Sequence, residues 1–347
     1  MPLVVENATS SAGEFDAATC VTVGLINNMP DAALEATERQ FADLIRAASG
    51  NTLVRLLLFH IPEVPRGTPA RRDMAGRYRD IGELWDTRLD GLIVTGTEPK
   101  SEDLKNEPYW AALARLIDWS RRHTASAVWS CLAAHAAVLQ SDGIERCQLS
   151  EKLSGVFDCA PATAHPMMRN IALPVRVPHS RCNDLPEVAL KAAGYRILTR
   201  SPAAGVDMFA RHERSFHLFL QGHPEYEPGT LLREYRRDIG RYLRGERARY
   251  PQMPQGYFNA EATAALEAFR KRARVERSPD LMANFPMRRL EAGLVGGWRP
   301  SAISLYENWF GYLKGRKAER RSPLIPMRRA WRDWPHSSPL AIDNAAS

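Results

Sequence analysis

The sequence predicts an α/β fold in which a parallel sheet is covered by helices on both faces. Two patterns carry this. Short β-branched or apolar runs recur between residues 21 and 130, and each is followed by a longer stretch with helical periodicity. Length agrees, since 347 residues can bury a sizeable core in one large domain or two smaller ones.

In chain order, VTVGLI (21–26) reads as a strand, DAALEATERQFADLIRAA (31–48) as an amphipathic helix and LVRLLLF (53–59) as a second strand. A helical stretch near 71–86 leads to the strand GLIVTG (91–96), a helix near 107–122, the strand SAVWS (126–130) and a small-residue helix after Cys131. From about 151 to 193 the pattern loosens into Pro-bearing loops. Strand-like runs return at GYRILTR, GVDMFA and SFHLFLQ (194–221), followed by a helix from about Pro228 to Leu243. A charged helical pattern, AEATAALEAFRKRARVER (260–277), precedes the Gly/Pro-bearing stretch LVGGWRP. Beyond Gly315 no element is assigned. The organisation expected is an N-terminal extension (1–19), a catalytic domain (20–315) with a helical insertion near 260–297, and a basic Pro-containing tail (316–347).

Composition narrows the function. With 44% hydrophobic and 25% charged residues the chain is ordinary for a globular protein. No run approaches the roughly 18 apolar residues of a membrane helix, and the N-terminus lacks the pattern of a signal peptide, so a cytoplasmic protein without a membrane partner is expected. The five cysteines, Cys20, Cys131, Cys147, Cys159 and Cys182, are odd in number and lack CxxC or zinc spacing, which argues against a disulfide framework or a metal. The net charge of +7 is concentrated at the end: residues 310–347 carry eight Lys/Arg against three acids. A basic tail with Pro323, Pro326, Pro335 and Pro339 reads as a solvated or partner-contacting extension, and no nucleic-acid signature accompanies it.

One stretch, AVWSCLAAHAAVLQ (127–140), places a lone cysteine between a β-like run and a small-residue helix. Free cysteine often serves as a small buried hydrophobe. At a strand-to-helix turn it gains another use, because the positive end of the helix favours thiolate and neighbouring backbone N–H groups can hold an oxyanion. Ala133 and Ala134 are small enough for such a turn to close. A base is available in FLQGHPEYEPGT (219–230), where His223 lies just past an apolar strand and Glu225, two residues on, falls on the same side of an extended segment. A loop histidine beside a surface glutamate is the plainer alternative.

Taken together, INNMP with TERQF, DGLIVTGTEP, YWAALARLIDWSRRH, EKLSGVFD, VPHSR and GHPEYEPGTLLREYRRD resemble the homoserine O-acyltransferases of the class I glutamine-amidotransferase-like superfamily. The likeness covers roughly residues 20–260 and resumes at WRPSAISLYENWFGYL (298–313). It implies a flavodoxin-like sheet, a homodimer, and acyl transfer in methionine biosynthesis from acyl-CoA, a co-substrate rather than a cofactor, to homoserine or a related hydroxy-amino acid. By the same resemblance Cys131 is the nucleophile, His223 the general base and Glu225 its orienting partner. Leu132, Gly96 and Thr97 would form the oxyanion hole, and Lys152, Ser180 and Arg237 would bind the amino-acid substrate, an Arg being able to grip its carboxylate bidentately.

At the family position that helps choose between acetyl and succinyl donors this chain has Lys100, a cation able to pair with a succinyl carboxylate, so succinyl-CoA is expected. Three departures stand out. The basic residues that generally follow NNMP in the family are replaced by Asp31 and Ala32, so any cation there must come from elsewhere or be absent. The family's glutamine four residues after the cysteine is His135, read as a packed ring or a hydrogen-bonding substitute for the amide. The third is the insertion between Asn259 and Trp298, with the basic tail. Alternative readings are homoserine or serine O-acetyl transfer, a class I glutamine amidotransferase-like hydrolase, for which the G-x-C-x-G flanks are missing, and a non-catalytic binding protein on the same scaffold.

Overall fold

The computed structural model describes residues 3–9 and 20–321. In chain order its strands are β1 (Leu3–Glu6), β2 (Val21–Ile26), β3 (Val54–His60), β4 (Arg79–Asp80), β5 (Gly91–Val94), β6 (Ser126–Ser130), β7 (Cys147–Pro161), β8 (Val175–Asp184), β9 (Arg196–Ser201), β10 (Gly205–His212) and β11 (Phe216–Leu220). The helices are α1 (Asp31–Ala48), α2 (Thr68–Met74), α3 (Ile81–Leu84), α4 (Trp110–His123), α5 (Leu132–Asp142), α6 (Glu187–Ala192), α7 (Thr230–Leu243), α8 (Ala260–Glu276), α9 (Met287–Ala292) and α10 (Arg299–Arg321).

The strands form one mixed sheet in the order β1-β3-β2-β5-β6-β11-β10-β9-β7-β8, with β4 added beside β3. From β1 to β11 all neighbours are parallel, as helical crossovers require. Beyond β11 the pairs become antiparallel, because only a few residues separate β9 from β10 and β10 from β11, too few for a crossover. The expected parallel sheet is therefore the half that carries Cys131, and a mixed sheet is the whole.

Alternation along the central strands feeds two cores. Val23, Leu25, Leu56, Leu58, Ile93 and Val128 pack on one face against α1 and α10, while Leu57, Phe59, Leu92, Val94, Ala127 and Trp129 pack on the other against α4 and α5. A third cluster joins α7 to the inserted α8 and α9 through Leu232, Tyr235, Leu266, Phe269 and Leu290.

Four expectations change. The N-terminal extension contributes β1, which pairs with β3 at the sheet edge. The helix near 71–86 is two short ones, separated where Gly76 turns to φ +77° and β4 intervenes. About half of the supposed loops of 151–193 belongs to β7 and β8, long antiparallel strands whose exposed positions and internal Gly155 and Pro178 obscured the period of two. Finally, α10 does not stop at Gly315. Its residues Arg316 and Lys317 are used within the molecule, Arg316 with Glu319 at 2.9 Å and Lys317 Nζ with Asp90 Oδ2 at 2.7 Å. Residues 322–347 of the tail lie outside the described residues.

Helix α10 is fastened to the sheet by Trp309, almost wholly buried, whose indole N–H donates to Ser126 Oγ at 2.9 Å. Gly91 makes room for it: a Cβ there would lie 2.9 Å from the Trp309 ring. Trp309→Ala should cost about 3–5 kcal/mol by leaving a cavity and an unpaired Ser126, read as a fall in the denaturant midpoint.

Candidate active site

Cys131 sits where β6 passes into α5, and its backbone is held at φ +52°, ψ −115°. A non-glycine residue at such a positive φ costs on the order of 1–3 kcal/mol and persists only where its surroundings over-determine it. Here the Cys131 N–H donates to the Leu220 carbonyl at 2.7 Å, and Ala133 and Ala134 behind it are fully packed. The turn leaves the side chain partly exposed at the positive end of an 11-residue helix that has no side-chain cap.

His223 reaches the same place from the neighbouring strand. Ser130 and Leu220 are register partners on β6 and β11, so residues just past them leave the sheet side by side. The His223 N–H is fixed on the Pro178 carbonyl at 2.7 Å, and the ring stacks on Tyr226 with centroids 4.2 Å apart. Its Nδ1 lies 2.8 Å from Glu225 Oε1, and the ring also hydrogen-bonds the Cys131 thiol. All three partners of the ring are thus fixed.

Burial alone would depress the imidazole pKa, yet the charges of Cys131 and Glu225, with hydrogen bonds to both, raise it well above the usual value. The ring is a good holder of a proton when the sulfur is ionised.

The loop after β5 closes the site from the other side. A Cβ on Gly96 would lie 2.5 Å from Leu132 Cβ and 3.0 Å from Leu132 N, so this backbone packs directly on the amide next to the cysteine. Thr95 holds the loop to INNMP: its Oγ1 accepts from the Asn28 N–H at 2.8 Å, and its carbonyl accepts from the Asn28 side chain at 3.1 Å. Gly96 and Thr97 are partly exposed. Lys100, on the same loop, is exposed; its backbone N–H and that of Ser101 both donate to Glu107 Oε1 at 2.5 Å.

Lys152 on β7, Ser180 on β8 and Arg237 on α7 come together around two acids that sequence reasoning missed. Lys152 Nζ lies 3.2 Å from Glu234 Oε2 and 3.1 Å from Asp238 Oδ2. Ser180 Oγ donates to Glu234, and Arg237, half exposed, approaches Asp238 at 3.4 Å. Burial works against both charged forms, but Lys152, Ser180 and Tyr226 hold the Glu234 pKa below normal, while Glu234 and Asp238 hold that of Lys152 above. Tyr226 links the two halves, stacking on His223 and donating its hydroxyl to Glu234 Oε1 at 2.7 Å. Its carbonyl accepts from the Trp298 indole at 2.8 Å. The spacing of Glu234 and Asp238, one helical turn apart in α7, was the available signal.

The departures also find places. His135 is buried, its Nε2 is 2.9 Å from Gln221 Oε1, and burial pushes its pKa down to about 3, so the ring is neutral and packed. Beside NNMP the cation comes from further along the chain. Arg66 donates to the carbonyls of Met29 at 2.8 Å and Asn27 at 3.0 Å and lies 3.3 Å from Asp31.

Among the described residues one group has metal-like donors, Cys159, His179 and Asp207. Its chemistry fits poorly. Arg181 Nε donates to His179 Nδ1 at 3.4 Å, which leaves the proton on the Nε2 that would have to bind metal, and burial raises the Cys159 thiol far from ionisation.

The sequence relatives of the chain show its family. The family model described as homoserine O-succinyltransferase matches residues 4–319. A homoserine O-succinyltransferase of Rhodopseudomonas palustris is 49% identical over 89% of this chain and 92% of that protein, and one of Methylococcus capsulatus is 37% identical over 87% and 86%. Among solved structures, a glutamine amido transferase from Methylobacillus flagellatus is similar over 85% of this chain and 96% of that one, at 13% identity and a TM-score of 0.48. With its strained cysteine, its buried histidine and carboxylate, and sequence relatives along nearly its whole length, the chain belongs to the homoserine O-succinyltransferase family.

Proposed function

We propose that the protein transfers the succinyl group of succinyl-CoA to the γ-hydroxyl of homoserine, a step of methionine biosynthesis, through an acyl-enzyme on Cys131. The observation that carries the catalytic part is the strained Cys131 backbone facing an imidazole whose far nitrogen is held 2.8 Å from a buried carboxylate. Sγ attacks the thioester carbonyl, and the oxyanion is received by N–H groups at Leu132 and the Gly96–Thr97 turn. The carbon–sulfur bond to CoA breaks, and CoA leaves as the thiol with the proton carried by His223.

The second half runs in reverse order. His223 takes the proton of the homoserine hydroxyl, the oxygen attacks the Cys131 thioester, and the sulfur leaves, regaining its proton from the imidazolium. Glu225 keeps the ring in the tautomer that presents its free nitrogen to the sulfur and stabilises the imidazolium that forms within each half. Lys152 and Arg237 supply cations for the amino-acid carboxylate, Ser180 a hydroxyl, and Lys100 a positive charge on the donor side. Because Glu234 and Asp238 already neutralise the first two, a zwitterionic acceptor exchanges one set of ion pairs for another. The reading includes no cofactor beyond acyl-CoA as co-substrate, and a cytoplasmic homodimer without nucleic-acid or membrane partners. No helix among the described residues is long and apolar enough to cross a membrane.

Incubation with succinyl-CoA in the absence of homoserine should add one succinyl group to the intact protein, and Cys131→Ala should abolish the adduct. An adduct that survives the substitution would remove the covalent mechanism. Glu225→Gln takes away a negative neighbour, so the His223 pKa should fall, read by NMR titration of the ring, and kcat/KM should drop about a hundredfold or more. Glu234→Gln should raise the KM for homoserine more than it lowers kcat, measured by steady-state release of CoA thiol.

A further inference from the structure

Around the mouth of the site nearly every cation is already matched. Lys152 is held by Glu234 and Asp238, Arg237 and Arg247 by Asp238, and Arg241 by Glu98. Arg181 is bound to Asp184 and to the carbonyls of Asn183 and Ala204. Lys100 is exposed to solvent, whereas Arg146, just before β7, has a buried donor that is unused. Its Nη2 donates to the carbonyls of Glu102 at 2.8 Å and Ser101 at 3.3 Å, but its Nη1 is buried with no hydrogen-bond partner. A guanidinium N–H buried without a partner is costly to keep; Glu107 and Asp103 act on the charge without hydrogen-bonding that nitrogen, and an anion brought to it relieves the cost.

Its position suits one anion of the reaction. The carbonyls it holds come directly after Lys100, in the loop whose Gly96 packs on Leu132, so Arg146 anchors the segment that lines the nucleophile. The charge is felt at His135, one turn of α5 beyond Cys131, and at Cys182, whose thiol interacts in turn with Cys131. The homoserine end of the site already has Lys152, Ser180, Arg237 and their acids. What has no seat there is the free carboxylate of the donor, at the far end of a four-carbon acyl chain whose thioester carbonyl must stand at Sγ. Planar N–H donors are well shaped to receive it.

We propose that Arg146 determines acyl-donor specificity by receiving the distal carboxylate of the succinyl group on its unused Nη1. This rests on the succinyl-transfer reading above. Arg146→Gln keeps an amide able to hold the loop carbonyls but removes the charge, and Arg146→Lys keeps the charge without the fork. The probes are succinyl-CoA and butyryl-CoA, which has the same chain length and no carboxylate, each with homoserine.

In Arg146→Gln the ratio of kcat/KM for succinyl-CoA to that for butyryl-CoA should fall about thirtyfold or more, with partial recovery in Arg146→Lys. Equal losses with both donors would make Arg146 a loop anchor only and overturn the proposal. So would an unmoved ratio, or a collapse of the ratio in Lys100→Ala in place of the Arg146 variants. Thermal melting of each variant separates misfolding from these outcomes. A wild-type protein that prefers succinyl-CoA while Arg146→Gln leaves the preference intact fails this proposal alone; one that takes butyryl-CoA as readily fails the succinyl-transfer reading with it.

Discussion

The strained turn at Cys131 is the constraint around which the molecule is arranged. A residue at φ +52° has to be forced there, and the force comes from three directions. The Leu220 carbonyl fixes its amide, the close-packed alanines of α5 fix the first turn of the helix, and the Gly96 backbone presses on Leu132. They come from the end of β11, from the helix that follows β6 and from the loop that follows β5. The pairing that binds β5, β6 and β11 together is therefore what keeps the sulfur, the amide beside it and the imidazole within one small space.

Around that centre the electrostatic arrangement is one of matched pairs under cover. Glu225 and His223 are both nearly inaccessible to water, as is Asp238. Low local polarity strengthens each attraction and makes each unmatched charge expensive. Tyr226 is the joint between the catalytic and acceptor halves. Burial and the Glu234 carboxylate keep its phenol protonated, so it remains a donor to Glu234 while its ring supports His223.

The parts of this arrangement visible in the residue string were those with a local signature. Buried strands such as GLIV and SAVWS, the small residues after Cys131, and the two-residue spacing of His223 and Glu225 all express short-range geometry. The edge strand β1 and the hairpin of β7 and β8 did not, since their pairing is settled by distant partners and their faces are only half covered. Glu234 and Asp238 looked like ordinary helix charges. Only the fold shows that α7 lays them against Lys152. Likewise nothing near Asp31 announces that Arg66, 35 residues on, supplies the guanidinium beside NNMP.

The C-terminal helix carries an implication for assembly. Trp298 steadies the carbonyl of Tyr226, and from Trp309 to Lys317 the chain closes over Ser126 and Asp90. These braces come after Cys131 and His223 in sequence, so the scaffold that carries the thiol and imidazole is complete only when α10 and the residue before it have packed back onto segments that precede them in the chain.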